Sequence, residues 1–364
     1  MLIARVFELT GRGLTLYILF ILMKILIVRL SAIGDVVHTL PSLNALRTAF
    51  PDSEIHWLVE ELSAPVLKGH PQLDRIHVFR KKWRKSFMNH LFSDIVPFFK
   101  KLRREKFNWA VEFQGLTKSG LAAYLSGARK IIGYGDKDGR ELNKLFTNKK
   151  VRPSGIKHVV ERNLALLRPL GIKNPTVRFV FPDYSEDMPE IPDEPFAIVN
   201  PGAGWPTKRL PPETLARLCS DIYKQKDLPF VIAWGPREKN LAETVKSGIE
   251  DMGGKAVLAP PTNLRQLAAM ISRCQLFTGG DTGPTHIAAA MDIPVVSFFG
   301  ASDAKRNAPY GKKCLVVQKD ELSCISCWKK QCPLKGERHL HCLRKITADE
   351  LYECADSLLE KKNS

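Results

Sequence analysis

Four loops in this 364-residue chain hold side chains that could do chemistry, and each directly follows a run of apolar residues. The first is Ser31-Ala-Ile-Gly-Asp35, after KILIVRL. Asp35 stands where a doubly wound sheet presents its ligand-binding loop, which gives it a candidate functional role; the plainer alternative is a helix N-cap. Pro41 argues against that alternative, because proline sits best in a helix's first turn and moves the cap toward 37–40. The second is Gly279-Gly-Asp-Thr-Gly-Pro-Thr-His286. Gly280 and Gly283 permit close backbone approach and Pro284 suits an early helix position. The free N–H groups and dipole of a helix starting there would hold an anion such as a pyrophosphate. The alternative is a plain strand–helix turn capped by Asp281 or Thr282.

The third loop, Asn200-Pro-Gly-Ala-Gly-Trp-Pro-Thr-Lys-Arg209, delivers Thr207, Lys208 and Arg209 from a flexible glycine turn. Cations placed there would neutralise a leaving diphosphate without a metal, or would simply be solvated. In the fourth, Trp234-Gly-Pro-Arg-Glu238, the glutamate could accept ribose hydroxyls or favour the start of the next helix. No G-x-G-x-x-G follows a strand, which counts against a nicotinamide oxidoreductase.

These loops need a scaffold, and the chain's patterning supplies one. Continuous apolar runs at 24–30, 54–59, 75–79, 109–113 and 130–134 alternate with helical patterns near 40–49, 86–106, 117–126 and 157–170. After a proline-rich stretch at 182–195 the alternation restarts. Strands are expected at 196–200, 230–234, 256–259, 276–279 and 294–299, with helices near 212–226, 237–252, 263–272 and 284–291. Such alternation predicts α/β architecture with two doubly wound parallel sheets. Ligands of these sheets bind beyond the carboxyl ends of the strands. The expected organisation is an apolar extension at 1–22, a domain at 23–182, a linker at 183–195, and a domain at 196–364 that includes a cysteine-rich segment at 324–342 and a terminal helix. Leu14 to Met23 is too short an apolar run to span a bilayer alone and lacks a convincing cleavage site. Of three readings, a weak membrane anchor, an export signal and an upstream extension with the working start at Met23, the third is preferred.

Charge and cysteine spacing add two further signals. The net charge of +17 points to an anionic partner. Nucleic acid, phosphorylated lipid and nucleotide sugars all qualify. Residues 80–106 hold ten Lys and Arg against Asp94 and Glu105, interleaved with Trp83, Phe87, Phe92, Phe98 and Phe99. This segment could grip an anionic membrane or a phosphorylated lipid, bind nucleic acid, or be an amphipathic helix with a solvated basic face. Lys118, Arg140 and Arg162 add positive groups in the same half. The eight cysteines show no secreted spacing, so a reducing compartment is expected. Cys324, Cys327, Cys332 and Cys342 could form a tetrathiolate zinc site, although there is one C-x-x-C rather than two. Reduced thiols in a packed loop are the alternative.

Taken together, KILIVRLSAIGDVVHTLP and GDTGPTHIAAAMDIPVVSFFGASD resemble the bacterial lipopolysaccharide heptosyltransferases of glycosyltransferase family nine, from Met23 to about residue 355. WLVEE, WRK, FQGLTKSG, GRE and HVVER look most like heptosyltransferase I. The resemblance implies a GT-B fold: two Rossmann-like domains facing a central cleft, the acceptor on the first and ADP-L-glycero-D-manno-heptose on the second. It implies inverting transfer of heptose to Kdo2-lipid A in lipopolysaccharide inner-core synthesis, with no cofactor or catalytic metal required. The family's base falls on Asp35, and its donor-binding residues on Thr207, Lys208, Glu238, Asp281, Thr282, Gly283 and His286. Acceptor contacts fall on Arg80, Lys82, Arg84, Lys118 and Arg140. The implied partners are a nucleotide sugar, an anionic lipid A-type acceptor and the cytoplasmic leaflet of the inner membrane, with no nucleic acid. The enzyme would be cytoplasmic and peripheral on that membrane. Two rivals remain at this point. Heptosyltransferase II or another family-nine transferase would keep Asp35 and Lys208 and change the acceptor. A zinc-containing nucleic-acid-binding protein would use the charge and the cysteines but leave the four loops unexplained.

Overall fold

A computed structural model describes residues 23–135, 139 and 141–363, with backbone alone for 84, 85, 87 and 361–363. The apolar extension at 1–22 and the expected acceptor residue Arg140 lie outside the described residues, as does the side chain of Arg84. Contacts divide the chain into two compact units. The second gathers 32–38, 157–159 and 183–363; the first holds the other described residues.

The first unit is built on a six-stranded parallel sheet of β1 (Lys24–Val28), β2 (Glu54–Glu60), β3 (Arg75–Phe79), β4 (Trp109–Glu112), β5 (Lys130–Tyr134) and β6 (Lys149–Val151), in the order β3-β2-β1-β4-β5-β6. Its central strand β1 pairs with β2 and β4 in parallel, Leu26 lying opposite His56 and Ala110. Ile25 to Val28 are completely buried, as a strand covered on both faces requires. One side packs Leu26, Val28, Phe107, Ala110 and Ala123 into a continuous core.

The second unit repeats the plan with β7 (Ala197–Asn200), β8 (Phe230–Ile232), β9 (Ala256–Leu258), β10 (Phe277–Gly280), β11 (Val295–Phe299) and β12 (Cys314–Gln318), ordered β12-β11-β10-β7-β8-β9. Its core joins Ile222, Phe230, Val245 and Phe298 to Leu351 and Leu358 of the terminal helix Ala348–Asn363. Counted from its own first strand, each half reads 3-2-1-4-5-6. The direction of winding therefore reverses between β1 and β4, and again between β7 and β10. Those reversals open a crevice at the carboxyl ends of the strands. Three of the four loops singled out from the sequence leave these switch strands: one after β1, one after β7 and one after β10.

Two expectations need correction. The helix expected over 86–106 is broken into Phe87–His90, a π-helical turn Leu91–Ile95 and Val96–Arg104, and a separate short helix, Lys81–Lys85, precedes it. Pro97, in the first turn of the last segment, has no N–H to continue the ladder, and the wide turn absorbs the interruption. The helix expected over 157–170 is shorter, Val159–Ala165 followed by a 3-10 turn at Arg168–Leu170. Strands β6 and β12 were not anticipated; both are edge strands paired on one side.

Candidate active site

Asp35 lies in a five-residue helix, Ile33–Val37, that the sequence pattern did not reveal. It is not the N-cap. It is the third helical residue, and its Oδ2 accepts the Ala32 N–H at 3.1 Å. The helix that follows, Leu40–Ala49, begins behind Thr39 with Pro41 in its first turn, where the proline argument placed it. The Asp35 helix packs within the second unit against the helix Gly283–Ala290. The approach is close enough that a Cβ on Gly34 would lie 2.5 Å from His286 Cδ2, and one on Gly283 would lie 2.7 Å from Ile33 Cγ2.

The loop after β10 is more than a capped turn. Thr282 is the N-cap by position, but no side chain caps the helix Gly283–Ala290. Asp281 is instead bound on both oxygens. Lys208 Nζ donates to Oδ2 at 2.5 Å and His286 Nε2 lies 2.9 Å from Oδ1. Burial opposes the charge on Asp281, but the hydrogen bond from His286 and the Lys208 cation outweigh it and hold the carboxyl well below the usual range. An ionised carboxylate only accepts, so His286 carries its proton on Nε2. On the other side of the ring, His286 Nδ1 lies 3.1 Å from His38 Nε2. The result is a polar chain, Lys208–Asp281–His286–His38. His38 was not singled out from the sequence; its helical spacing of three from Asp35 is the signal that could have found it.

The remaining loop residues hold this array. Lys208 also lies over the Trp205 ring, 5.0 Å from its centroid, and its carbonyl closes on Gly280 so tightly that a Cβ there would strike it. Thr207 is buried, and its hydroxyl donates to the Lys329 carbonyl at 2.7 Å. That ties the loop to the cysteine-rich segment. Thr282 accepts a hydrogen bond from Asn200 Nδ2 at 3.3 Å and sits 3.1 Å from the Thr285 hydroxyl. Glu238 accepts the Gly235 N–H at 3.0 Å and faces Arg209 at 3.4 Å. Its backbone is the N-cap position of the helix Lys239–Asp251, but its side chain does not cap. This arrangement can hold an anion between one cation and the N–H groups of an uncapped helix N-terminus.

In the first unit, Lys118 Nζ donates to Glu60 Oε1 at 2.9 Å and to Ser31 Oγ at 3.3 Å. Arg80 is exposed, 6.0 Å over the Trp83 ring, and Lys82 is exposed on the next helix. At the carboxyl end of β4, beside the other switch strand, Glu112 is fully buried. It accepts the N–H groups of Gln114 and Gly115 and Nδ2 of Asn143. Burial pushes its carboxyl upward against those hydrogen bonds. An acid closing the apolar run WAVE was its unread sequence signal.

The tetrathiolate expectation is not met. Among the described residues, no group of three or more His, Cys, Asp or Glu side chains could hold a metal ion. All eight cysteines are free, Cys327 is exposed, and the Cys332 sulfur accepts the Leu340 N–H at 3.4 Å. Burial, with the neighbouring thiols Cys324, Cys327 and Cys332, pushes the Cys342 thiol up to about 11.

Two six-stranded doubly wound units, each with loops at its switch point, are the architecture of the GT-B fold. The model of glycosyltransferase family 9 (heptosyltransferase) matches residues 95–337, and the chain belongs to that family. It is 28% identical over 334 residues to lipopolysaccharide heptosyltransferase 1 of Pseudomonas aeruginosa, covering 89% of this chain and 92% of that protein. Among solved structures, Escherichia coli heptosyltransferase WaaC with ADP superposes with a TM-score of 0.74 at 24% identity, over 92% of this chain and all of that one. Escherichia coli ADP-heptose lipopolysaccharide heptosyltransferase II superposes at 0.71 and 18%, over 94% of this chain and all of that one. Among the described residues, no helix is long and apolar enough to cross a membrane.

Proposed function

We propose that this glycosyltransferase moves heptose from ADP-L-glycero-D-manno-heptose to Kdo2-lipid A, with inversion and without a catalytic metal. The observation that carries the reading is the packing of the Asp35 helix on the helix that begins at Gly283, with Lys208 held on Asp281 beside it. Base and anion site thus belong to one unit. Asp35 takes the proton of an acceptor hydroxyl as its oxygen attacks the anomeric carbon. The bond from that carbon to the diphosphate oxygen breaks on the opposite face, and the electron pair leaves with ADP. Lys208 and the N–H groups at the start of the helix Gly283–Ala290 stabilise the new charge. Glu238 receives ribose hydroxyls, and Asp281 holds the lysine while His286 holds Asp281. Arg80, Lys82, Arg84, Lys118 and Arg140 meet the phosphates and carboxylates of the acceptor on the cytoplasmic face of the inner membrane, where the enzyme binds peripherally.

The test mixes purified protein with ADP-heptose and Kdo2-lipid A in EDTA. Mass spectrometry is expected to find one heptose added. No product with ADP binding retained removes the acceptor assignment and directs the search to an already heptosylated lipid, the acceptor of the second reading. Loss of both product and ADP binding removes the transferase chemistry itself.

A further inference from the structure

The first unit contains a cavity of about 500 Å³ whose walls are almost wholly apolar, lined by Leu30, Phe79, Ile95, Val96, Phe99 and Leu121 among others. That volume falls within the range of small-molecule sites. Yet the cavity lacks the few convergent polar groups that such sites use to read a polar metabolite. Its polar lining residues are charged: Lys100, Arg103 and Lys118, with Glu60. Glu60 and Lys118 pair with each other. Lys100 and Arg103 are exposed and make no ion pair among the described residues. The same wall segment turns large apolar side chains to solvent: Met88 is 74% exposed and Phe92 78%. Leu121 and Tyr124, on the helix Thr117–Leu125, are exposed as well. An apolar chamber with uncompensated cations fits the two ends of an anionic amphiphile.

We infer that this cavity takes a fatty acyl chain of the glycolipid acceptor, with Lys100 and Arg103 receiving the anionic groups near the chain's head. The inference rests on the acceptor reading above and deepens it: the enzyme recognises the lipid as well as the saccharide. Removing a chain of methylene groups from water supplies the affinity. The cations set which end enters.

The experiment compares acylated Kdo2-lipid A with its fully deacylated counterpart, in the wild type and in Leu121→Trp and Val96→Trp, which fill the cavity from two different walls. In the wild type the acylated acceptor is expected to show a KM lower by about tenfold or more. In the filled variants the two KM values converge. Partition into detergent affects wild type and variants alike, so convergence reports the cavity. A dansylated undecanoic acid, followed by its fluorescence, gives a readout that needs no turnover: it binds the wild type and loses affinity by about tenfold in both variants. If the deacylated acceptor is used as well as the acylated one by all three proteins, the cavity assignment is overturned while the transferase reading stands. If no acceptor is used but the fatty-acid probe still distinguishes wild type from variants, the transferase reading fails and the acyl site survives. Two further outcomes overturn the assignment to the acceptor. One is loss of binding to anionic phospholipid vesicles with an unchanged acyl preference, which would give the cavity to membrane lipid. The other is probe binding that appears only after residues 1–22 are removed, which would give it to that apolar run.

Discussion

The two units share one strand order, yet their switch points are finished in opposite ways. In the second unit the loops after β7 and β10 close on each other. Lys208 meets Asp281, His286 meets Asp281, and Gly280 lies under the Lys208 carbonyl. Lys208, Asp281, His286 and Thr282 all have hydrogen-bond partners there. The first unit instead surrounds its sheet edge with exposed cations, exposed apolar side chains and an apolar cavity. Preorganised dipoles suit a ligand with concentrated charge, because they need no rearrangement when charge develops. Apolar volume with cations at its mouth suits a large amphiphile, for which area rather than geometry supplies affinity.

The contrast can be broken most forcefully at the proposed base. Asp35→Ala is expected to lower turnover by about 10²- to 10⁴-fold and to leave ADP affinity nearly as it was. Steady-state kinetics beside calorimetry check this, and full activity would remove Asp35 from the mechanism. Lys208→Ala comes next. It should cost about 10²- to 10³-fold in turnover and, unlike the first variant, weaken the donor complex too. If donor affinity survives, the cation acts elsewhere.

Gly280→Ala tests whether the closed loops are built as tightly as described. A Cβ there strikes a backbone oxygen that cannot rotate away, so a loss of about 1–3 kcal/mol in urea unfolding is expected. An unchanged midpoint would mean that the loops part easily. The last prediction concerns acid stability, and it belongs to the first unit. His70 and His77 are buried, and burial lowers both to about 4. His77 Nε2 lies 3.1 Å from His56 Nδ1, and His56 is lowered as well, chiefly by burial. The unfolded chain therefore binds more protons between about pH 4 and 6.5, so stability is full above that window and falls on acidification through it. Each of His70 and His77 contributes at most about 3 kcal/mol to the fall. His77→Phe should flatten the dependence of the urea midpoint on pH, whereas an unaltered slope would assign the acid sensitivity to other groups.

The interior strands were legible because a strand buried on both faces must be continuously apolar. KILIV and VVSFF leave no other reading once flanking loops and helices are counted. Edge position did not hide β6, since the edge strands β3 and β9 were read; β6 is only three residues long, and two of them, Lys149 and Lys150, are exposed. The short Asp35 helix escaped for a different reason. Five residues of helix are not stable alone; this one exists because Gly34 lets it settle on His286.

What the sequence determined by itself is local. It placed apolar strands before glycine-rich loops, put Pro41 and Pro284 in first helical turns, and concentrated positive charge in one segment, because propensity and periodicity act over windows of a few to about 20 residues. The tertiary structure alone decided which loops meet. It brings Lys208 to an aspartate 73 positions away and His38 to a histidine 248 positions away. Such pairings depend on the crossover order of the strands, which no local pattern encodes. It also decided that Pro97 would split a basic helix and that the pieces would leave a cavity rather than a packed core. A void is a property of surfaces that fail to meet, and that failure is defined only once the chain has folded.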